Sequence, residues 1–122
     1  MAKKILIVED EANIVTMLES RLKSNGYDVI PAYDGEAGLD KARSEKPDLV
    51  ILDIMLPKLD GYQVCHALKS DGKYEHIPIV MLTARGEVDD MKMGLEKGAD
   101  AYVSKPFDAQ TLIGVIKGLL GE

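Results

Sequence analysis

Short hydrophobic runs alternate along the chain with longer segments in which hydrophobic residues recur every three or four positions. The runs are found at residues 5–8, 27–30, 49–52, 77–82 and 101–104. The first, third and fourth runs have no polar residue, which is typical of parallel strands covered on both faces. Pro78 lacks an amide hydrogen, so it should stand at the start of its strand. The pattern therefore predicts five short strands.

The segments between the strands have the spacing of amphipathic helices. Asn25 and Gly26 should end the first helix, and Asp34 and Asp108 are the predicted N-caps of the second and fifth helices. The positions assigned to the core are Ile14, Leu18 and Leu22 in the first helix, Ala37, Leu39 and Ala42 in the second, Val64 and Leu68 in the third, Val88, Met91 and Leu95 in the fourth, and Leu112, Ile116 and Leu119 in the fifth.

Strands that alternate with helices imply a parallel sheet, because parallel neighbours need a crossover connection. Five such units are too few for a closed eight-stranded barrel. We therefore predict an α/β fold with a flavodoxin-like, doubly wound sheet of five parallel strands in the order 2-1-3-4-5, accompanied by five helices. A chain of 122 residues has room for a single domain, residues 1–122.

Composition and charge limit the classes of function that this chain can have. A net charge of -6 disfavours direct binding of nucleic acid, which needs clustered Lys and Arg. The single cysteine, Cys65, cannot form an internal disulfide, and no apolar stretch approaches the roughly 20 residues needed to cross a membrane. The N-terminus lacks the apolar segment of a signal peptide, so we expect a cytoplasmic protein without a membrane span.

Polar residues end four of the five predicted strands. Glu9 and Asp10 follow the first strand, Asp53 the third, Thr83 the fourth and Lys105 the fifth. The carboxyl ends of parallel strands meet at one edge of the sheet, where ligands bind. Clustered carboxylates repel one another unless a cation lies among them, and hard oxygen ligands favour Mg²⁺. The sequence therefore predicts a magnesium site at this edge.

The same residues suit phosphoryl transfer. Asp53 is the carboxylate best placed to act as a nucleophile. A transferring phosphoryl group has three equatorial oxygens that need donors or cations, and Lys105, Mg²⁺, and Thr83 with the amide of Ala84 can provide them. The small side chain of Ala84 leaves room for the group. Pro106 predicts a tight turn after Lys105 and is compatible with a cis peptide.

The whole chain closely resembles the response-regulator receiver family of two-component signalling, the CheY-like superfamily. The matching motifs are ILIVEDE at residues 5–11, PDLVILDIMLPKLDG at 47–61, PIVMLTA at 78–84 and GADAYVSKPF at 98–107. The resemblance implies a phosphorylation-dependent switch that accepts a phosphoryl group from a histidine kinase or a histidine phosphotransfer protein.

The resemblance also implies a role for each site residue. Asp53 would be the phosphoacceptor, and Lys105 would pair with the phosphoryl group. The magnesium ligands would be Glu9, Asp10, Asp53 and the backbone carbonyl of Met55. Thr83 and Tyr102 would form a switch pair that changes the face built from the fourth helix, the fifth strand and the fifth helix. The chain would catalyse its own phosphorylation without being an enzyme that releases a product, and apolar Met55 would make autodephosphorylation slow.

Two partner surfaces are expected. In this family the phosphoryl donor docks on the first helix beside the crevice, which here presents Asn13, Thr16, Met17 and Ser20. Val115 and Leu120 lie off the inward stripe of the fifth helix, so we expect an apolar patch for an output partner there. Only Lys117 is positive on that helix, which makes a salt-bridged dimer through it less favoured.

Two other classes of protein stay open. An aspartate-nucleophile phosphohydrolase would need a further general acid near Asp53 and a cap insertion, and neither is visible. A flavin-binding flavodoxin-like module would need a Ser/Thr/Gly-rich phosphate loop where this chain has acidic residues. His66 and His76 lack a second ligand at useful spacing, so they are interpreted as surface residues, and Cys65 as a packing residue.

Overall fold

The computed structural model describes residues 2–84 and 98–122. In these ranges the strands are β1 (Lys4–Val8), β2 (Asp28–Ala32), β3 (Leu49–Asp53), β4 (Ile79–Ala84) and β5 (Ala101–Lys105). The helices are α1 (Ala12–Ser24), α2 (Gly35–Glu45), α3 (Gly61–Lys69) and α4 (Ala109–Leu120). The predicted fourth helix, with Val88, Met91 and Leu95, lies outside the described residues. The helix α4 is the fifth predicted helix and is called the C-terminal helix below.

The strands form one parallel sheet in the order β2-β1-β3-β4-β5, which confirms the predicted flavodoxin-like fold. Alternate residues of each strand pack on opposite faces. On β1, Leu6 and Val8 belong to a core shared with α2 and α3, whereas Ile5 and Ile7 belong to a core shared with α1 and the C-terminal helix. Both faces of the sheet are therefore covered, as the uninterrupted hydrophobic runs predicted.

The predicted helix ends are confirmed. The α1 helix ends at Ser24 with Asn25 as its C-cap, and Gly26 follows with a positive φ of 88°. The carboxylate of Asp34 accepts a hydrogen bond from the Ala37 amide at 2.7 Å, and that of Asp108 accepts one from the Gln110 amide at 3.0 Å. These side chains satisfy amides that have no partner within their helices.

Two local predictions need correction. Val15 is buried in α1, whereas Ile14 is only half-buried, because the buried stripe runs through Val15, Leu18 and Leu22 and leaves Ile14 at its margin. The second strand begins at Asp28 and continues through Pro31 to Ala32, which β2 tolerates because it is an edge strand. Leu119 faces the core as predicted: it is half-buried and packs against the core that Leu112 and Ile116 fill.

Candidate functional site

The carboxyl edge of the sheet concentrates the buried polar groups of the described chain. In residues 2–84 and 98–122, Glu9, Asp53 and Thr83 are the buried polar or charged residues, with exposures of 0%, 5% and 1%. All three lie at strand ends on this edge, where the rest of the buried set is apolar. Burying carboxylates costs free energy unless they are paired, so this placement marks the edge as a site.

The acidic residues form one cluster. Glu9, Asp10 and Asp53 each place a carboxylate oxygen within 4.8 Å of the others. Asp10 is the exposed member, and partial burial of its carboxyl group together with a hydrogen bond to Glu9 raises its pKa. Three carboxylates at this separation provide the hard oxygen ligands that Mg²⁺ prefers. The residues present therefore fit the predicted metal.

Lys105 lies between the two buried carboxylates. Its Nζ is 2.6 Å from Oε1 of Glu9 and 3.2 Å from Oδ2 of Asp53. Burial of this side chain would lower its pKa, but the hydrogen bond to Glu9 and the charges of Asp53 and Glu9 outweigh that effect and raise it. The ammonium group therefore stays charged and partly neutralises the cluster.

Backbone contacts hold the strand ends in place. The Glu9 amide donates to the carbonyl of Ala32 at 3.0 Å, which ties the end of β1 to β2. On the other side of Asp53, the amide of Gly61 donates to the carbonyl of Ile54 at 2.9 Å. A Cβ at Gly61 would collide with the backbone oxygen of Asp53, so α3 can begin against the site only with glycine there. The phosphoacceptor candidate is thus fixed by close packing.

Lys105 precedes a cis peptide bond to Pro106, in agreement with the sequence. The pairing of β4 with β5 sets Ala84 opposite Lys105, so the amide and the ammonium group predicted to bind the phosphoryl oxygens are on neighbouring strand ends. Residue 85 and those that follow to 97 are outside the described chain.

Thr83 and Tyr102 lie on adjacent strands. Because side chains alternate along a strand, Thr83 shares the face of Met81, and Tyr102 packs on the core that contains Met81. Tyr102 is half-buried and its hydroxyl oxygen is buried. Glu9, Asp53 and Lys105 belong by the same alternation to the opposite face. Thr83 and Tyr102, the predicted switch pair, therefore lie on the face of the sheet that packs against α2 and α3.

The other residues predicted to have a role are mostly exposed or half-buried. Met55 lies two residues after Asp53 and is 77% exposed. The stripe on α1 is exposed, as expected, at Asn13, Thr16, Met17 and Ser20. Val115 and Leu120 are half-buried and pack against the core, so the expected apolar patch is smaller than predicted. His66 and His76 are exposed, and Cys65 is buried in the core, as interpreted from the sequence.

Sequence reasoning assigned Lys105 to the phosphoryl group and missed its closer contact with Glu9. A signal for this contact was present in the length of the Glu9 side chain, which reaches one methylene further than an Asp would. Sequence reasoning also missed Lys69, whose contacts are described below. In the part of the chain that the structure describes, no helix is long and apolar enough to cross a membrane.

The fold and the acidic cluster define a class of protein, and the family comparison agrees. The family described as response regulator receiver domain matches residues 5–117, so the chain belongs to that family. Receiver domains are phosphorylation-dependent signalling switches, generally without enzymatic function of their own. The phosphohydrolase and flavodoxin alternatives are therefore not favoured.

Among curated proteins, the chain is 52% identical over 120 residues to the alkaline phosphatase synthesis transcriptional regulatory protein PhoP of Bacillus subtilis (strain 168), covering 98% of this chain and 49% of PhoP. It is also 52% identical over 118 residues to the probable transcriptional regulator ycf27 of Cyanophora paradoxa, covering 97% of this chain and 48% of ycf27. The chain thus spans about half the length of these relatives.

Solved structures share the architecture. The chemotaxis response regulator CheY4 of Vibrio cholerae superposes with a TM-score of 0.91 at 30% identity, covering 98% of this chain and 99% of CheY4. The receiver domain of the sensor histidine kinase PA1611 from Pseudomonas aeruginosa PAO1 gives the same TM-score and identity with full coverage of both chains. That domain is described with a magnesium ion coordinated in its active site cleft.

Proposed function

We propose that Asp53 is the phosphoacceptor of this receiver domain and that it takes its phosphoryl group from a histidine kinase or a histidine phosphotransfer protein. The observation that supports this most is the position of the Lys105 ammonium between Glu9 and Asp53, at 2.6 Å and 3.2 Å. A nucleophilic carboxylate beside a fixed cation is suited to receive a group that arrives with negative charge.

The transfer is a displacement at phosphorus. An Asp53 oxygen forms the new bond to phosphorus while the bond to the donor imidazole nitrogen breaks, and the electron pair of that bond stays with the imidazole. Lys105 then moves from the Asp53 carboxylate to a phosphoryl oxygen. The Thr83 hydroxyl and the Ala84 amide bind another phosphoryl oxygen. Apart from the donor and Mg²⁺, only groups of this chain take part, so the domain promotes its own phosphorylation.

Glu9, Asp10 and Asp53, with the backbone carbonyl of Met55, are the proposed holders of Mg²⁺. The metal supplies positive charge to the cluster and to the incoming phosphoryl oxygens. The magnesium ion in the PA1611 receiver domain supports this assignment, as do the carboxylate oxygens within 4.8 Å of one another here.

Phosphorylation is tested by intact mass after incubation with Mg²⁺ and an acyl phosphate. One phosphoryl adduct is expected on the wild-type chain and none on Asp53→Asn. The control Asp40→Asn removes an exposed carboxylate of α2 and should leave the adduct unchanged. Equal adducts on wild type and Asp53→Asn would contradict the assignment.

The switch pair and the lifetime of the adduct form a further part of the proposal. Thr83 is drawn toward the phosphoryl group, and Tyr102 responds on the neighbouring strand, which changes the face that includes β5 and the C-terminal helix. Met55 cannot orient an attacking water, so hydrolysis of the adduct is slow. Met55→Asn should accelerate the loss of phosphate, and an unchanged rate would remove this role.

The exposed stripe of α1 is the proposed docking site for the donor. Met17→Asp should slow transfer from the cognate kinase while the reaction with an acyl phosphate stays unchanged, because only the macromolecular donor contacts α1. Ser44→Asp on the exposed side of α2 is the matched control. Slowing of both reactions by Met17→Asp would indicate damage to the site instead of lost docking.

PhoP and ycf27 are transcriptional regulators by name, so we propose that this switch controls transcription through a further region or partner. The half-buried Val115 and Leu120 are the candidate contacts. The net charge of -6 disfavours direct binding of nucleic acid by this chain.

A further inference from the structure

Lys69, the last residue of α3, lies at the amino edge of the sheet, opposite the acidic cluster. Its side chain is only 15% exposed. The ammonium group donates to the carbonyls of Glu75 at 3.0 Å and Ile77 at 2.8 Å, and it lies 2.9 Å from Oδ2 of Asp100. An ammonium group has three hydrogens, and each has an acceptor here.

Asp100 connects this lysine to the strands of the switch. Its Oδ2 also accepts from the Ile79 amide at 2.8 Å, and its own amide donates to the carbonyl of Ile79 at 2.9 Å. Ile79 is the first residue of β4, and Asp100 immediately precedes β5. The first hydrogen bonds between β4 and β5 therefore involve the Asp100 side chain, which Lys69 holds in place.

Gly98 completes the arrangement. It has a positive φ of 93°, and a Cβ at this position would lie 3.1 Å from Cγ of Lys69. The segment that enters β5 thus packs on the methylene groups of Lys69, while the ammonium group holds Asp100. One side chain fixes the end of α3, the loop before β4 and the start of β5.

The pairing of β4 with β5 decides where the phosphoryl-binding groups lie. In this register Thr83 is opposite Ser104 and Ala84 is opposite Lys105. If β5 were paired one residue out of this register, Ser104 and Lys105 would turn to the other face of the sheet relative to Thr83. The magnesium candidates, by contrast, are on or directly after β1 and β3, which Lys69 does not contact through any of these bonds.

We propose that Lys69 is a positioning residue for phosphoryl capture: through Asp100 it fixes the β4 and β5 pairing that brings Thr83, Ala84 and Lys105 to Asp53. This inference rests on the proposed function of that edge. It predicts that loss of Lys69 impairs phosphorylation while leaving the binding of Mg²⁺ intact, a separation that a general loosening of the fold would not produce.

The test compares Lys69→Met with Lys73→Met, a matched change at an exposed lysine of the following loop. At a temperature where circular dichroism shows both variants folded, phosphorylation of Lys69→Met by an acyl phosphate should fall by about tenfold or more, since small misplacements of binding groups are costly. Its affinity for Mg²⁺, measured by calorimetry, should stay within about twofold of wild type. Lys73→Met should match wild type in both.

Backbone amide resonances give a readout that does not need phosphorylation. Those of Ala84 and Lys105 should shift in Lys69→Met, and those of Glu9 and Asp53 should not.

If Lys69→Met fails to fold, Asp100→Asn, which keeps the side-chain oxygen but loses the charge, should show the same pattern more weakly. A wild-type phosphorylation rate, a parallel loss of Mg²⁺ affinity, or unshifted Ala84 and Lys105 resonances would overturn the inference. A wild-type chain without an Asp53 adduct would instead contradict the proposed function, and the resonances would still decide the role of Lys69.

Discussion

The two edges of the sheet pair their charged side chains in opposite ways. At the amino edge, the ammonium group of Lys69 meets three acceptors and the charge of Asp100 has its partner. At the carboxyl edge, one ammonium group, that of Lys105, stands among three carboxylates. The contact at the amino edge is balanced and holds β4 and β5 together. Among the residues that the structure describes, the acidic cluster at the carboxyl edge is short of positive charge, and a metal ion and a phosphoryl-binding role would use this deficit.

Removing the cation of the carboxyl edge should produce the largest effect. Lys105→Met leaves Glu9, which is fully buried, without its ammonium partner. We expect the free energy of unfolding to fall by about 3 kcal/mol in the absence of divalent cations, because an uncompensated buried charge remains. Urea denaturation in a chelating buffer measures this loss, with Lys73→Met as control. A variant as stable as wild type would mean that Lys105 does not balance the cluster.

A divalent cation should stabilise the chain by supplying the positive charge that the acidic cluster lacks. At a concentration of Mg²⁺ one hundred times its dissociation constant, the wild-type chain should gain about 2.7 kcal/mol of unfolding free energy by mass action. Glu9→Gln should gain clearly less, because a ligand is lost. Denaturation with and without Mg²⁺ tests this, and an equal gain in both chains would exclude Glu9 from the metal site.

A second contact at the amino edge should respond to high pH. The hydroxyl of Tyr27 donates to the carboxylate of Glu122, and burial together with this carboxylate raises the pKa of Tyr27 from 10.0 to about 12. The folded chain therefore holds this proton more tightly than the unfolded chain. The stabilisation is complete below pH 10 and is lost as the pH rises toward 12.

Tyr27→Phe should accordingly cost about 1.5 kcal/mol at neutral pH, the loss of a hydrogen bond to a charged group. The difference from wild type should shrink between pH 10 and pH 12. Tyr33→Phe, at a tyrosine that is 50% exposed, is the control and should show neither effect. A difference that stays constant across this pH range would contradict the assignment of the shift to Tyr27.

The smallest effect is expected between the two edges, on the C-terminal helix. Gly118 is exposed, and a Cβ there would have no neighbour within 4 Å. Gly118→Ala should therefore raise the free energy of unfolding by about 0.8 kcal/mol through helix propensity. Thermal denaturation measures the gain. A loss of stability would show that glycine has a packing role at this position.

The sequence predicted the carboxyl edge better than the amino edge, and the reason is physical. Parallel strand ends must meet, so Glu9, Asp53 and Lys105 could be placed together from their positions in the pattern alone. The closer approach of Lys105 to Glu9 than to Asp53 depends on side-chain conformation, which hydrophobic periodicity does not encode.

Lys69 and Asp100 are 31 positions apart and belong to no repeating pattern, so nothing in the sequence pairs them. Tyr27 was placed in the second strand because aromatic residues favour strands, yet it precedes β2 and binds Glu122. In both cases a contact between distant segments decides the local structure, and a contact of this kind is visible only once the chain is folded.

The site of phosphorylation tests the account most directly. After incubation with Mg²⁺ and an acyl phosphate, reduction with borohydride converts a phosphorylated aspartate to homoserine, and peptide mass mapping then locates it. Homoserine is expected at residue 53 and at no other aspartate, and it should be absent when Mg²⁺ is chelated. Homoserine at Asp10, or none in the presence of Mg²⁺, would contradict the assignment of Asp53 as the phosphoacceptor.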